Sequence, residues 1–337
     1  MHILVLASGS GGHVYPCLSF IKHAKDYKIT YLTIKNGFEN KLVSNSSSYL
    51  DIKNQFKSYI KDINEYKKLK SEIKRNEELI KNIDVILCFG GFVSFVGAII
   101  SKTYHKPLYL HEQNKSIGDA NKFALMYAKK IFTSFKETKS LLFKNKITYV
   151  GNPRVDDILK IQSTHPYFNI LLFAGSLSSS TLNKVYEELI QKQFDHRLRF
   201  YVITGKKAYE KFNKYKNAQV EVIEYQKDML ELMAKIDLVI MRAGATSIGE
   251  IIAFNIPAIM IPSQFVKHNH QYENAKVLSD KNAGIVFLEK DVTANKLKEK
   301  IDNLFYGKYE YALIKKNLRY FEKKDVTKEM LKEIENG

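Results

Sequence analysis

The feature that most restricts the fold is a corner that occurs twice: a short apolar run, a loop of small residues, then a helical pattern. Ile3 to Ala7 runs into Ser8-Gly9-Ser10-Gly11-Gly12-His13, and Leu18, Ile21 and Ala24 then recur at helical spacing, with Pro16 in the first turn. Asn169 to Ala174 runs into the loop 175–180, followed by Leu182, Val185, Leu189 and Ile190 at the same spacing. A strand that turns sharply into a helix N-terminus aims backbone N–H groups and the positive end of the helix dipole at one point, so each corner suits an anion. His13 is expected at the mouth of the first.

Two common readings of such a corner fail. After Gly9 and Gly11 the third glycine of a dinucleotide fingerprint is replaced by Val14, and the second strand ends at Lys35 where an acid would bind a ribose. No Gly-x-x-x-x-Gly-Lys-Ser/Thr segment exists, which removes the P-loop.

Around these corners, apolar runs alternate with helical patterns. Strands are expected near 2–7, 29–34, 84–89, 107–111, 131–134 and 147–150, with helices near 14–25, 56–81, 92–104 and 118–129. The pattern restarts with strands near 169–174, 198–203, 219–223, 237–241, 257–261 and 285–287. Near-continuous apolar strands such as Asp84-Val85-Ile86-Leu87-Cys88-Phe89 imply parallel sheets covered on both faces. The fold class is therefore α/β, with two doubly wound, Rossmann-like domains facing a cleft. Their expected limits are 1–155 and 165–317, joined through Gly151-Asn152-Pro153-Arg154 and a polar stretch around 162–166; a charged helical stretch from about Tyr311 to Glu335, with its part from about 318 to 337 able to pack back on the first domain, ends the chain.

Each conspicuous motif follows a strand, where a doubly wound sheet binds its ligand. Gly90-Gly91-Phe92-Val93-Ser94 and His111-Glu112-Gln113-Asn114 do so in the first half. In the second half, Arg242-Ala243-Gly244-Ala245-Thr246-Ser247 opens a helix whose N–H groups and hydroxyls could hold phosphate oxygens, and Glu250 on the same helix could accept hydrogen bonds from a ribose diol. His268 and His270 lack the partners of a zinc site and there is no Asp-x-Asp segment, so neither a metal nor another cofactor is expected.

Taken in order, Gly-Ser-Gly-Gly-His-Val-Tyr-Pro at 9–16, Gly-Gly-Phe-Val-Ser at 90–94, His-Glu-Gln-Asn at 111–114, Gly-Asn-Pro-Arg at 151–154, Ala-Gly-Ser at 174–176, Arg-Ala-Gly-Ala at 242–245 with Glu250, and Gln-Tyr-Glu-Asn-Ala at 271–275 resemble one family. It is the MurG-type N-acetylglucosaminyltransferases of peptidoglycan synthesis, in glycosyltransferase family 28 with the two-domain GT-B fold. The resemblance implies an inverting transfer of N-acetylglucosamine from UDP-N-acetylglucosamine to an undecaprenyl-diphosphate-linked muramoyl-pentapeptide, the acceptor meeting the N-terminal domain and the nucleotide the C-terminal one. It implies catalytic roles for His13 and Glu112, and donor contacts from Ser10, Gly11, Gly12, Asn114, Arg154, Ser176, Arg242, Ala245, Thr246, Ser247, Glu250, His270 and Gln271. Gly90, Gly91, Phe92 and His111 would face the acceptor. A histidine base and helix N-termini that stabilise a leaving diphosphate suit such chemistry without a metal. Other readings are a GT-B transferase acting on a lipid such as diacylglycerol, a UDP-sugar epimerase or hydrolase, and a non-catalytic basic binding protein.

The formal net charge of +17 fits either compositional bias or an anionic partner. Lysines interleaved with Phe56, Tyr59, Ile60 and Ile63 between Lys53 and Lys81 suggest an anionic membrane surface. Lysines and tyrosines form no RNA-recognition signature, so nucleic acid is not an expected partner. The longest apolar run, Val85 to Ile100, is shorter than a membrane span, and Cys17 and Cys88 form no disulfide framework. The expected location is the cytoplasmic face of the cell membrane, held peripherally.

Overall fold

The computed structural model describes residues 1–34, 48–50, 63–158, 165–174, 179–226 and 228–337. It divides into two compact units, residues 1–157 with 324–337, and residues 158–323. Ser176 and the membrane-contact candidates Lys53 to Lys61, with Phe56, Tyr59 and Ile60, lie outside the described residues.

The first unit contains β1 (His2–Leu6), β2 (Lys28–Ile34), β3 (Ser48–Leu50), β4 (Val85–Cys88), β5 (Leu108–Glu112), β6 (Lys130–Thr133) and β7 (Ile147–Tyr149). Its early helices are α1 (Gly11–His23), α2 (Ile63–Arg75), α3 (Glu77–Lys81), α4 (Phe92–Tyr104) and α5 (Asp119–Ala124). All seven strands run parallel in the order β3-β2-β1-β4-β5-β6-β7, so the order reverses between β1 and β4. Every residue of β1 is buried, which is why its sequence is continuously apolar. Leu4 and Leu6 join Leu69, Ile73, Val93 and Val96 on one face, while Ile3 and Val5 join Cys17 and Phe20 on the other.

The second unit repeats the plan. Its strands are β8 (Phe168–Phe173), β9 (Leu198–Ile203), β10 (Val220–Ile223), β11 (Leu238–Met241), β12 (Ala258–Met260) and β13 (Ile285–Val286), all parallel in the order β10-β9-β8-β11-β12-β13. Its helices are α6 (Ser180–Ile190), α7 (Lys206–Asn213), α8 (Met229–Met233), α9 (Ala245–Phe254), α10 (His270–Ser279), α11 (Ala294–Tyr306) and α12 (Tyr309–Leu318). The order reverses between β8 and β11, and Tyr186 of α6, fully buried there, donates its hydroxyl to the Ile240 carbonyl at 3.1 Å.

Some local expectations need correction. The first helix starts at Gly11, three residues earlier than its apolar pattern, so Pro16 sits in the second turn and contributes no N–H to the ladder. The expected helix 56–81 contains a break at Asn76, and that near 118–129 ends at Ala124. The last stretch is also broken: α12 ends at Leu318, and Asp325 in the left-handed region precedes a separate helix, α13 (Val326–Glu335). The Asp156 carboxylate accepts from the backbone N–H groups of Val326 and Thr327, at 2.9 and 2.7 Å. Val326, Met330 and Ile334 then enter the first unit's core beside Ile3 and Val5.

Candidate active site

In the first unit the strand order reverses where the loops after β1 and β4 meet, the place where a doubly wound sheet binds ligands. Half-buried His13, in the first turn of α1, returns its backbone N–H to the Ser10 carbonyl at 3.0 Å. Its ring lies against Gly90 and Gly91, which continue from β4 with φ of +89° and +74°. A Cβ on Gly91 would come within 2.9 Å of the Ser8 carbonyl oxygen, so glycine is needed there for close approach as well as for its backbone angle. Phe92 turns away from this point and is buried in the core, its ring 6.1 Å from that of Phe95.

Behind His13 runs a buried polar chain from β5. Nδ1 of His13 lies 2.9 Å from Oε1 of Gln113, whose Nε2 is 2.9 Å from the Phe89 carbonyl and 3.0 Å from Nδ1 of His111. Nε2 of His111 is 2.9 Å from the Gly151 carbonyl. Burial drives the His111 pKa down from 6.5 to about 4, against the raising effect of the Gly151 hydrogen bond. At neutral pH this imidazole is uncharged.

The neighbouring Glu112 is 2% exposed, and both its oxygens are committed. Oε1 accepts from the backbone and side-chain amides of Asn114 at 3.0 and 3.1 Å, and Oε2 from Gly118 N and Asn121 Nδ2 at 2.9 Å each. Together they tie the loop 113–118 to the start of α5. Arg154 donates to Asp157 at 2.9 Å and lies over the Tyr15 ring. Asp157 also accepts from Ser19 and pairs with Lys22 at 2.9 Å. Burial raises the Asp157 pKa, but the hydrogen bonds from Ser19 and Lys22 and the nearby positive charges outweigh it and leave it below the usual carboxylate value.

In the second unit, α9 starts at Ala245 directly after β11, with Gly244 at its N-cap and Thr246 and Ser247 half-buried in its first turn. Glu250 is buried one turn later, not turned to solvent like an ordinary first-turn acid. Arg242 is also buried and forms an ion pair with Glu289; its guanidinium donates to the Ile261 carbonyl at 3.0 Å and the Ser179 hydroxyl at 2.8 Å. Gln271 accepts from Ser263 N at 2.8 Å, which holds the loop after β12 against α10, and half-buried His270 opens that helix. Among the described residues, no three His, Cys, Asp or Glu side chains are grouped to hold a metal ion.

Comparison with known proteins decides the family. Residues 3–133 match the glycosyltransferase family 28 N-terminal domain and residues 169–330 its C-terminal domain. The UDP-N-acetylglucosamine–N-acetylmuramyl-(pentapeptide) pyrophosphoryl-undecaprenol N-acetylglucosamine transferase of Limosilactobacillus reuteri is 30% identical, with 90% of each chain covered. The chain belongs to glycosyltransferase family 28. The Bacillus subtilis protein of the same description is 29% identical over 90% of each chain. Among solved structures, Acinetobacter baumannii MurG superposes with a TM-score of 0.80 at 22% identity, covering 100% of this chain and 99% of that one. The Neisseria meningitidis UDP-GlcNAc 2-epimerase gives 0.70 at 13% identity, with both chains fully covered, so the fold is shared with that enzyme too. The two doubly wound units expected from the repeated corners, and the GT-B fold that the resemblance implied, are thus the family's own.

The family 28 motifs separate by position. His13, Gly90, Gly91 and His111 come together at one switch point, while Glu112 and Asn114 are joined to each other beside it. Gln113, which links the two histidines, and Glu289, which pairs with Arg242, are not among the expected site residues. Gln113 was within reach as part of the His-Glu-Gln-Asn run; nothing in sequence joins Glu289 to a residue 47 positions away.

Proposed function

We propose that this protein transfers N-acetylglucosamine from UDP-N-acetylglucosamine to an undecaprenyl-diphosphate-linked N-acetylmuramyl-pentapeptide, the lipid I to lipid II step of peptidoglycan synthesis. The observation that carries the reading is kinship over 90% of each chain, at 30% identity, to a transferase described by that reaction. The second unit is the nucleotide domain, with Thr246 and Ser247 at the start of α9 toward the diphosphate, Glu250 toward the ribose, and His270 and Gln271 toward the sugar. The first unit receives the acceptor, and His13 serves as base. An acceptor oxygen then attacks the anomeric carbon, UDP leaves with the bonding electrons, and His13 takes the acceptor's proton.

Glu112 and Arg242 hold the framework in this reading. A buried carboxylate that accepts four hydrogen bonds has its lone pairs committed, and an arginine paired with Glu289 has its charge answered within its own unit.

We place the protein peripherally on the cytoplasmic face of the cell membrane, against anionic lipid. No helix among the described residues is long and apolar enough to cross a bilayer. Leu141 and Leu142 are 91% and 85% exposed among the exposed Lys136, Lys139 and Lys144, a combination suited to an anionic surface. Incubating the purified chain with UDP-N-acetylglucosamine, UDP-glucose or UDP-galactose, with and without the lipid-linked acceptor, tests the reaction. Acceptor-dependent UDP release from the first donor alone is expected; release without acceptor would overturn the assignment.

A further inference from the structure

We propose that Gln113 is a positioning residue that sets the tautomer of His13, keeping the proton on Nδ1 and the lone pair on Nε2. The inference rests on the reading of His13 as the base. Two carbonyls fix the chain from its far end. The Gly151 carbonyl can only accept, so Nε2 of His111 at 2.9 Å carries a proton and Nδ1 of the neutral ring is an acceptor. The Phe89 carbonyl can also only accept, so the group of Gln113 at 2.9 Å from it is the NH2.

That amide nitrogen has two protons, one for Phe89 and one for Nδ1 of His111 at 3.0 Å. A flipped amide would set oxygen against both the Phe89 carbonyl and the His111 lone pair. The orientation is therefore determined twice, and Oε1 must face His13. Since Oε1 can only accept, Nδ1 of His13 at 2.9 Å must donate. What remains on His13 is Nε2 with its lone pair, the form a general base needs.

When Nε2 takes the acceptor's proton, as the bond from acceptor oxygen to anomeric carbon forms and that from carbon to UDP breaks, Gln113 continues to accept from Nδ1–H of the imidazolium. It neither gains nor loses a proton. It touches no substrate and acts through His13 alone.

The test is nitrogen NMR on the full chain with its nine histidines ring-labelled with 15N, the His13 and His111 signals assigned from His13→Ala and His111→Ala. At pH 8, His13 is expected as the Nδ1–H tautomer and His111 as Nε2–H. An Nε2–H signal for His13 overturns the proposal whatever any variant does. In Gln113→Leu, the His13 signals should move toward the mixed tautomers of a free imidazole, and kcat should fall about tenfold to a hundredfold while the donor KM is kept. An unchanged tautomer in a folded Gln113→Leu also overturns it. Full activity of His13→Ala would instead remove His13 as base, leaving the NMR result to report separately on the chain of hydrogen bonds.

Discussion

Gly90 and His13 leave no room for each other to change. A Cβ on Gly90 would stand 2.7 Å from Nδ1 of the imidazole and 3.3 Å from Oε1 of Gln113, at a backbone angle of +89°. Gly90→Ala should cost about 1–3 kcal/mol in stability from the backbone alone. It should also displace the ring, lowering kcat more than tenfold with UDP binding intact. Steady-state kinetics beside titration calorimetry of UDP checks this; a variant with normal kcat would show that the ring moves without consequence.

His111 should make the protein acid-sensitive above the range where carboxylates titrate. Its folded pKa, near 4, lies below the unfolded 6.5, so the unfolded chain binds more protons between those values. The stability it contributes is complete above pH 6.5 and is lost as pH falls to about 4, amounting to about 3 kcal/mol. Asp157, with its depressed pKa, adds a loss only below its ordinary value of 3.8. Urea midpoints from pH 8 to 4 should fall for the wild type and flatten for His111→Gln.

Glu112→Ala should unfold readily, because four donors lose one acceptor pair in a buried site. A loss of about 3 kcal/mol is expected. Glu112→Gln should recover part of the stability and, if Glu112 is a frame residue, most of the kcat. A Gln variant as stable as the wild type but inactive would restore a catalytic role.

Breaking the Arg242–Glu289 pair from one side should cost about 3–5 kcal/mol, since it leaves a charge buried alone. Arg242→Met combined with Glu289→Leu should be less damaging than either single change. A double-mutant cycle by chemical denaturation measures the difference, and additive effects would deny the coupling.

Replacing Leu141 and Leu142 with Asp should weaken binding to anionic vesicles beyond what added salt achieves. Each buried leucine side chain contributes about 1.5–3 kcal/mol and each nearby lysine about 1 kcal/mol. Sedimentation with anionic and neutral vesicles separates the two contributions. Equal binding by the variant would move the contact to another surface.

Both sheets were readable because a strand buried on two faces leaves an unbroken apolar run, as in β1, β4, β8 and β11. The edge strand β3, with the sequence Ser-Tyr-Leu, carries no such run and went unseen. Helix breaks at Asn76 and Asp325 depend on backbone angles that a charged, periodic stretch does not display. At the site, residue types pointed to His13 and the glycines beside it. The His-Glu-Gln-Asn run contained Gln113 but did not show its contact with His13, because that partner lies 100 positions away.

The return of Val326, Met330 and Ile334 to the core beside Ile3 and Val5 has a consequence for biosynthesis. The ribosome must complete the whole second unit before the first can seal one face of its sheet. At ~5–20 residues per second this interval lasts on the order of ten to thirty seconds. During that time the face bearing Ile3, Val5 and Leu87 lacks part of its cover. A nascent chain in this condition is a client for holding chaperones, and a stop codon placed just before Val326 would damage the unit that was translated first.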